Sequence, residues 1–505
     1  MKVEWKKLMF GLAIGAGMMM MVSCSDEENF DPGGSPGKEV PEPTEKAFLS
    51  MRLSTGSLAG TRVAVDPTTS GRTEEQVVNH VRMVLYETKN NTVRYSWDLN
   101  VSTDGVNEFT GGDVVRGEDV PSATPTVSRF VTVGREVVKQ DYELLILINP
   151  PGELLEITEQ GNPRSYLSRA ANMTKESLIQ PYGIAADNNF YMTNHQDLIF
   201  VPEVELKDNQ RMAEENPVRV EVERAVAKVV DNLKWGLDVT NQYTYWMRKM
   251  TFIANSGGVP GEMEQLNSGY REERYAEDPN FTGFSAWNGG NPAGQFEYLS
   301  GTPELTKDFD DYDYTLENTM EAVEQRHDVT TRVVISGTYT PNGFGSVATR
   351  NSGGISFYYF KGNAIRVEAM RDMVNDRNLI PQELRDAGLE QAINDVLAWN
   401  PNAFNSPTAS FSVGGLNFYY EGVCYYTVLI RHFSNNMVPV LMGYGRYGVV
   451  RNNVYQLSIN KIIGPGQPVI NPPGTDPDDE DTSWISADVN IMRWYIRNQN
   501  VEELL

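Results

Sequence analysis

A chain of 505 residues is too long for one hydrophobic core, so two large domains are the expectation. Tyr, Val, Thr, Asn and Gly are abundant and long helical periodicity is scarce, which predicts a mostly β fold. A formal charge of −25 with no basic patch argues against nucleic acid as a partner.

The chain opens with Lys2, Lys6 and Lys7, then an apolar run from Leu8 to Val22. That run is shorter than the roughly 20 residues of a spanning helix and ends in Val22-Ser23-Cys24. It reads as a secretory signal, residues 1–23, and it resembles bacterial lipoprotein signals. The resemblance implies that Cys24 carries the lipid. Ser25-Asp26-Glu27-Glu28 follow, and 29–46 is a Pro/Gly/Glu-rich tether. With Cys24 so used, Cys424 stands alone in an apolar stretch, as a buried inert thiol outside any disulfide framework.

Ala47 to Leu53 alternates, with Leu49, Met51 and Leu53 on one face, the period of a strand. Residues 56–72 form a Gly/Ser/Thr loop that carries Arg62 and Arg72, the kind of segment where chains are nicked. Strands are predicted at 80–87, at 131–138, and at 142–148 with Asn149-Pro150-Pro151 closing the last. A short helix is predicted within 164–180, a short strand at 190–194 and an alternating segment over 218–230. The polar stretch 212–217 marks a boundary between domains 63–215 and 216–470. The second domain is expected to hold strands at 245–254, 332–339, 355–360, 425–432 and 454–463. One helix is expected from Pro381 to Leu397, as an insertion.

Residues 471–505 are a tether and a strand. NPPGTDPDDEDTS cannot build a core. Beyond it Ile485, Ala487, Val489 and Ile491 alternate with Ser486, Asp488, Asn490 and Met492. Such a strand either returns to its own sheet or is meant for another molecule, by addition to an open sheet.

Chemistry is sparse. His80, His195, His327 and His432 are scattered without ligand spacing, and no nucleophile elbow or phosphate loop is present. Asp308, Asp310, Asp311 and Asp313 lack the pattern of a calcium loop and read as a solvated acidic segment. The pairs Tyr419-Tyr420, Tyr425-Tyr426 and Trp494-Tyr495 could stack sugars, but their strand context favours packing. No enzyme, metal or cofactor is expected.

Five motifs carry a family resemblance: RAVAKV at 224–229, YTLENT at 314–319, TRVVISGTY at 331–339, GVCYYTVLIRH at 422–432 and YGVVRNNVYQLSINKIIGPGQP at 447–468. With the signal and the terminal strand, the chain resembles the Bacteroidales fimbrillins, the type V pilins, and within them the shaft subunit of the minor fimbrium. The resemblance implies two transthyretin-like β-sandwich domains and export as an outer-membrane lipoprotein. It implies a lipidated propeptide, 24–62, trimmed by an arginine-specific protease, for which Arg62-Val63 is the expected bond. It further implies a removable strand (Leu49, Met51, Leu53) and a donor strand (Ile485, Ala487, Val489, Ile491). The partners would be further copies of the chain together with anchor and tip subunits. The alternatives are a tip or accessory adhesin of the same fimbria, or a surface lipoprotein that binds glycans.

Overall fold

The computed structural model describes residues 45–55, 68–69, 71–106, 112–116, 129–168, 171–195, 197–231, 233–241, 296–307, 311–320, 324–345, 354–432, 447–478 and 485–494, with short strands between 243 and 277. Cys24, Arg62, Val63, Asp308, Asp310 and most of the 256–300 loop lie outside the described residues. The chain is mostly β.

The first sheet has nine strands, in the order Met192–Asn194, Val218–Arg224, Met51–Thr55, Arg129–Thr132, Val114–Arg116, Val93–Val106, His80–Glu87, Tyr142–Ile148 and Ile199–Val201. A further pairing of Met192–Asn194 with Tyr142–Ile148 turns eight of these strands into a closed ring. Tyr142–Ile148 is buried almost throughout, as its YELLILI run demands. Asn149 ends it at φ 49°. Its amide donates to the carbonyls of Val77 and Phe190, and its Oδ1 accepts from the backbone N–H of Asn79.

The second half is a sandwich. One layer is the five-stranded sheet Tyr312–Leu316, Val226–Val230, Asn453–Ile462, Ile485–Trp494 and Thr68–Thr69. The other is the three-stranded sheet Trp235–Asp238, Arg332–Thr338 and Val423–Leu429. Ala227, Val229, Tyr455 and Leu457 of the first layer share one core with Trp235, Val333, Ile335 and Tyr426 of the second.

Between Arg332–Thr338 and Val423–Leu429, which pair with each other, the chain inserts a body with its own core. It consists of the four-stranded sheet Asn363–Arg366, Phe357–Phe360, Leu416–Tyr419 and Phe411–Val413, covered by the helices Val367–Asn375, Gln382–Asp386 and Leu389–Trp399.

Several expected elements are corrected. The single strand 47–53 is two, Lys46–Leu49 and Met51–Thr55, broken at Ser50. There the Ser50 hydroxyl donates to the Thr132 carbonyl (2.6 Å), and the Met51 N–H donates to the Thr132 hydroxyl (2.9 Å). The strand at 131–138 is likewise two, Arg129–Thr132 and Arg135–Val138, in different sheets. The helix expected over 381–397 is broken at Gly388, whose φ of 93° no helix interior tolerates. Pro381 stands just before the first piece, and the apolar stripe continues across the break, with Leu384, Ile393 and Val396 buried. The polar stretch 212–217 is in part a helix, Gln210–Glu215, capped when the Asn209 side chain accepts from the Met212 N–H.

Candidate functional site

The first strand is an interior one. Met51–Thr55 runs parallel to Val218–Val222 on one side and antiparallel to Arg129–Val131 on the other. Its alternation is fully used: Met51 and Leu53 are 0 % exposed, and Leu49, which ends the short strand before it, is 1 % exposed. Burying three such side chains is worth about 1.5–3 kcal/mol each. Taken out, the strand leaves two unpaired edges facing each other and opens the ring.

Residues 72–75 plug a buried polar cluster where the two sheets meet. The chain crosses between the sheets at Ala225, with Arg224 on the first side and Lys228 on the second. Glu75, with no exposed surface, bonds to Lys228 Nζ at 2.8 Å through Oε1. The Tyr314 hydroxyl donates to the same oxygen at 2.6 Å, and the Arg72 N–H donates to Oε2 at 2.7 Å. The Arg224 guanidinium donates twice to the Glu75 carbonyl. Arg72 itself reaches Asp187 at 2.6 Å and lies 4.4 Å above the Tyr312 ring, with Lys228 Nζ 4.3 Å from that ring.

Burial works against the charge on Glu75, but Lys228, the Tyr314 hydroxyl and the Arg72 amide outweigh it and hold the carboxyl below its usual range. Burial lowers Lys228 despite Glu75, and lowers Arg224 to about 10. At neutral pH the cluster is a charged, hydrogen-bonded lock.

A second buried pair ties the same crossing to the following core motif. Arg451 Nε donates to Glu223 Oε1 at 2.6 Å, and His195 Nδ1 lies 2.8 Å from Glu223 Oε2. Burial opposes the Arg451 charge, while Glu223 and Glu317 hold its pKa above the ordinary value.

The C-terminal strand, Ile485–Trp494, pairs antiparallel with Asn453–Ile462 of its own chain, with an irregularity between Ile459 and Lys461. The register sets Val489 opposite Leu457 and Ile491 opposite Tyr455, both buried partners. Asp488 and Asn490 stand opposite Ser458 and Gln456, both exposed. On its other side, among the described residues, Thr68–Thr69 alone pairs with it, at Arg493 and Trp494.

The remaining sequence candidates are settled by burial. Tyr419, Tyr425 and Tyr426 are at most 4 % exposed, and Tyr419 stacks on Phe357 at 4.6 Å, so these aromatics are core. Cys424 is buried, and burial pushes its thiol pKa up. Asp313 is buried and pairs with Lys175 at 2.8 Å. Among the described residues no group of three or more His, Cys, Asp or Glu is placed to hold a metal.

The charged lock escaped the sequence reading. Its one legible signal was RAVAKV itself: Arg224 and Lys228 sit in an otherwise apolar run, and buried cations require a distant acid. Nothing local marked Glu75 as that acid.

Comparison with known proteins finds two family models. The description "Major fimbrial subunit protein (FimA)" matches residues 47–224, and "Major fimbrial subunit protein type IV, Fimbrillin, C-terminal" matches 417–500. Among solved structures, a fimbrilin from Porphyromonas gingivalis is 13 % identical with a TM-score of 0.37, over 90 % of this chain and 99 % of that one. A tip fimbrial protein from Porphyromonas gingivalis, with C-terminal truncation, is 10 % identical with a TM-score of 0.35, over 89 % of this chain and 100 % of that one. A fimbrial assembly protein from Parabacteroides distasonis is 13 % identical with a TM-score of 0.26, over 54 % of this chain and 96 % of that one. No curated protein matches the chain.

Proposed function

We propose that this chain, which belongs to the fimbrillin family of fimbrial subunits, is the repeating stalk subunit of an adhesive fimbria. The family's members are structural components of a cell-surface fimbria, not enzymes, and assemble with other fimbrial components. In the scheme proposed here the precursor is exported as a lipoprotein acylated at Cys24. An arginine-specific protease cuts between Arg62 and Val63. The segment bearing Leu49, Met51 and Leu53 then leaves, and the vacancy accepts the strand of a neighbour, with Ile485, Ala487, Val489 and Ile491 on the inserted face.

One observation carries this reading. The first strand is paired on both edges and buried, so its loss leaves a two-edged gap between Arg129–Thr132 and Val218–Arg224. A gap of that kind is what strand addition needs, because both ladders and the apolar pockets are already in place. The donor strand rests on its own sheet in the single chain and detaches to enter a neighbour. Arg72, the other arginine near the loop, is engaged by Glu75, Asp187 and Tyr312, which favours Arg62 as the site cut. A tip subunit accepts a strand but need not donate one, so the terminal strand favours the stalk.

The test uses Val489→Asp and a truncation ending at Asp481. Both should fold and be trimmed to a chain beginning at Val63, yet form no heat-stable ladder of multimers on a denaturing gel. A normal ladder from both removes the donor role from this strand.

A further inference from the structure

The inserted sheet has two faces, one closed by its helices and the other packed on the sandwich core through Phe357 and Tyr419, with a polar row left at its margin. Tyr358, Phe360, Phe411, Leu416 and Phe418 pack beneath the helices. By the period of two, Tyr359, Ser412 and Asn417 lie on the other face, and they are in register: Tyr359 opposite Asn417, and Asn417 opposite Ser412. Facing this row is the GPGQP segment, 464–468, and between the two lies a cleft of about 240 Å³.

The facing wall is fixed from inside. The Tyr426 hydroxyl donates to the Gly464 carbonyl (2.8 Å) and the Tyr419 hydroxyl donates to the Gly466 carbonyl (2.6 Å). Gln467 and Tyr425 exchange both backbone hydrogen bonds, at 2.7 and 2.8 Å. Gly466 is required there, since a Cβ would stand 2.0 Å from the Tyr425 carbonyl oxygen. The cleft is therefore preformed.

Its polar groups are available. Among the described residues, the Tyr359 and Ser412 hydroxyls and the Gln467 and Asn471 amides make no hydrogen bond, while Asn417, half-buried beside them, reaches the Tyr419 hydroxyl with one end of its amide. No charged side chain lines the cleft, and the chain carries −25 overall, which disfavours an anionic ligand. The volume holds one ring rather than a chain of them. Hydroxyls and amides that both donate and accept, beside a tyrosine and the two prolines, match a ring that has hydroxyls at its rim and C–H groups on its face. The row lies on the face of a sheet, not its edge, so an added peptide strand has no ladder to join.

We propose that this cleft binds a neutral saccharide unit, with Asn417 and Gln467 as the hydrogen-bonding pair and Tyr359 as the apolar wall. The site is independent of strand exchange and gives a stalk subunit a glycan contact on its inserted body.

The experiment is saturation-transfer NMR on the purified full chain with glucose, galactose, mannose, fucose and N-acetylglucosamine, and with glucuronate as the charged control. At least one neutral sugar should bind, and glucuronate more weakly. Asn417→Ala and Gln467→Ala should each weaken that sugar about tenfold or more. Gln467 is exposed, so its variant keeps the fold even if Asn417→Ala disturbs the sheet. No saturation from any neutral sugar overturns the proposal, as does a bound sugar whose affinity is unchanged in Gln467→Ala.

Discussion

Two strands with nearly the same alternating pattern meet different fates in this chain. Met51–Thr55 is paired on both edges, at five positions with Val218–Val222 and at three with Arg129–Val131, and closes a ring. Among the described residues, Ile485–Trp494 has one long neighbour, Asn453–Ile462, and a two-residue contact on its other side. The first is held by burial as well as by its ladders. A strand of the first kind leaves only if the connection to the rest of the chain is cut, whereas a strand near an edge can detach and find another sheet.

The largest effect belongs to the lock where the two sheets meet. Glu75→Gln leaves Lys228 buried without its counter-charge and should cost about 3–5 kcal/mol, read from the shift of a urea midpoint. The same site sets an acid response. The Glu75 carboxyl is held below its unfolded value, so its stabilisation is present above the ordinary carboxylate range and is lost as pH falls through the depressed folded value. Stability measured downward from about pH 5 should fall less steeply in Glu75→Gln than in the native chain.

Leu53→Ala comes next, with a loss of about 2–5 kcal/mol in the untrimmed chain. In a chain beginning at Val63 the residue is absent, so the same measurement on material trimmed from the variant and from the native precursor should agree. Disagreement would mean that the strand stays bound after the cut.

A smaller effect sharpens the choice of bond. Limited trypsin digestion of the native chain should leave the Arg72-Thr73 bond intact. Tyr312→Ala combined with Asp187→Ala loosens Arg72 by roughly 1–2 kcal/mol, and a fragment beginning at Thr73 should appear on N-terminal sequencing. The smallest effect belongs to Asp488→Ala, opposite exposed Ser458. It should change stability by no more than about 0.5 kcal/mol and leave the multimer ladder unchanged.

Alternation along 47–53 and 218–223 made those strands readable, because a half-buried strand imposes a period of two on its side chains, and 142–148 was readable as a short apolar run closed by Asn149-Pro150-Pro151. The apolar stripe of 384–397 was equally readable. The breaks at Ser50, Ala225 and Gly388 were not, since each is a place where the chain changes sheet or direction to suit a distant partner. Glu75 shows the same limit. An isolated acid in a polar segment looks solvated until Lys228, 153 positions away, is brought against it.

Residue order alone determined the mostly β class, the motifs shared with fimbrial subunits and the two alternating terminal strands, since composition and short-range periodicity carry these. Tertiary structure alone decided that the first strand lies inside a closed ring, that the last lies on the second sheet, and that a charged lock joins the crossing between them. Those depend on which edges and charges meet across the fold, from Met51 beside Val218 to Glu75 against Lys228, and no local rule of spacing encodes such meetings.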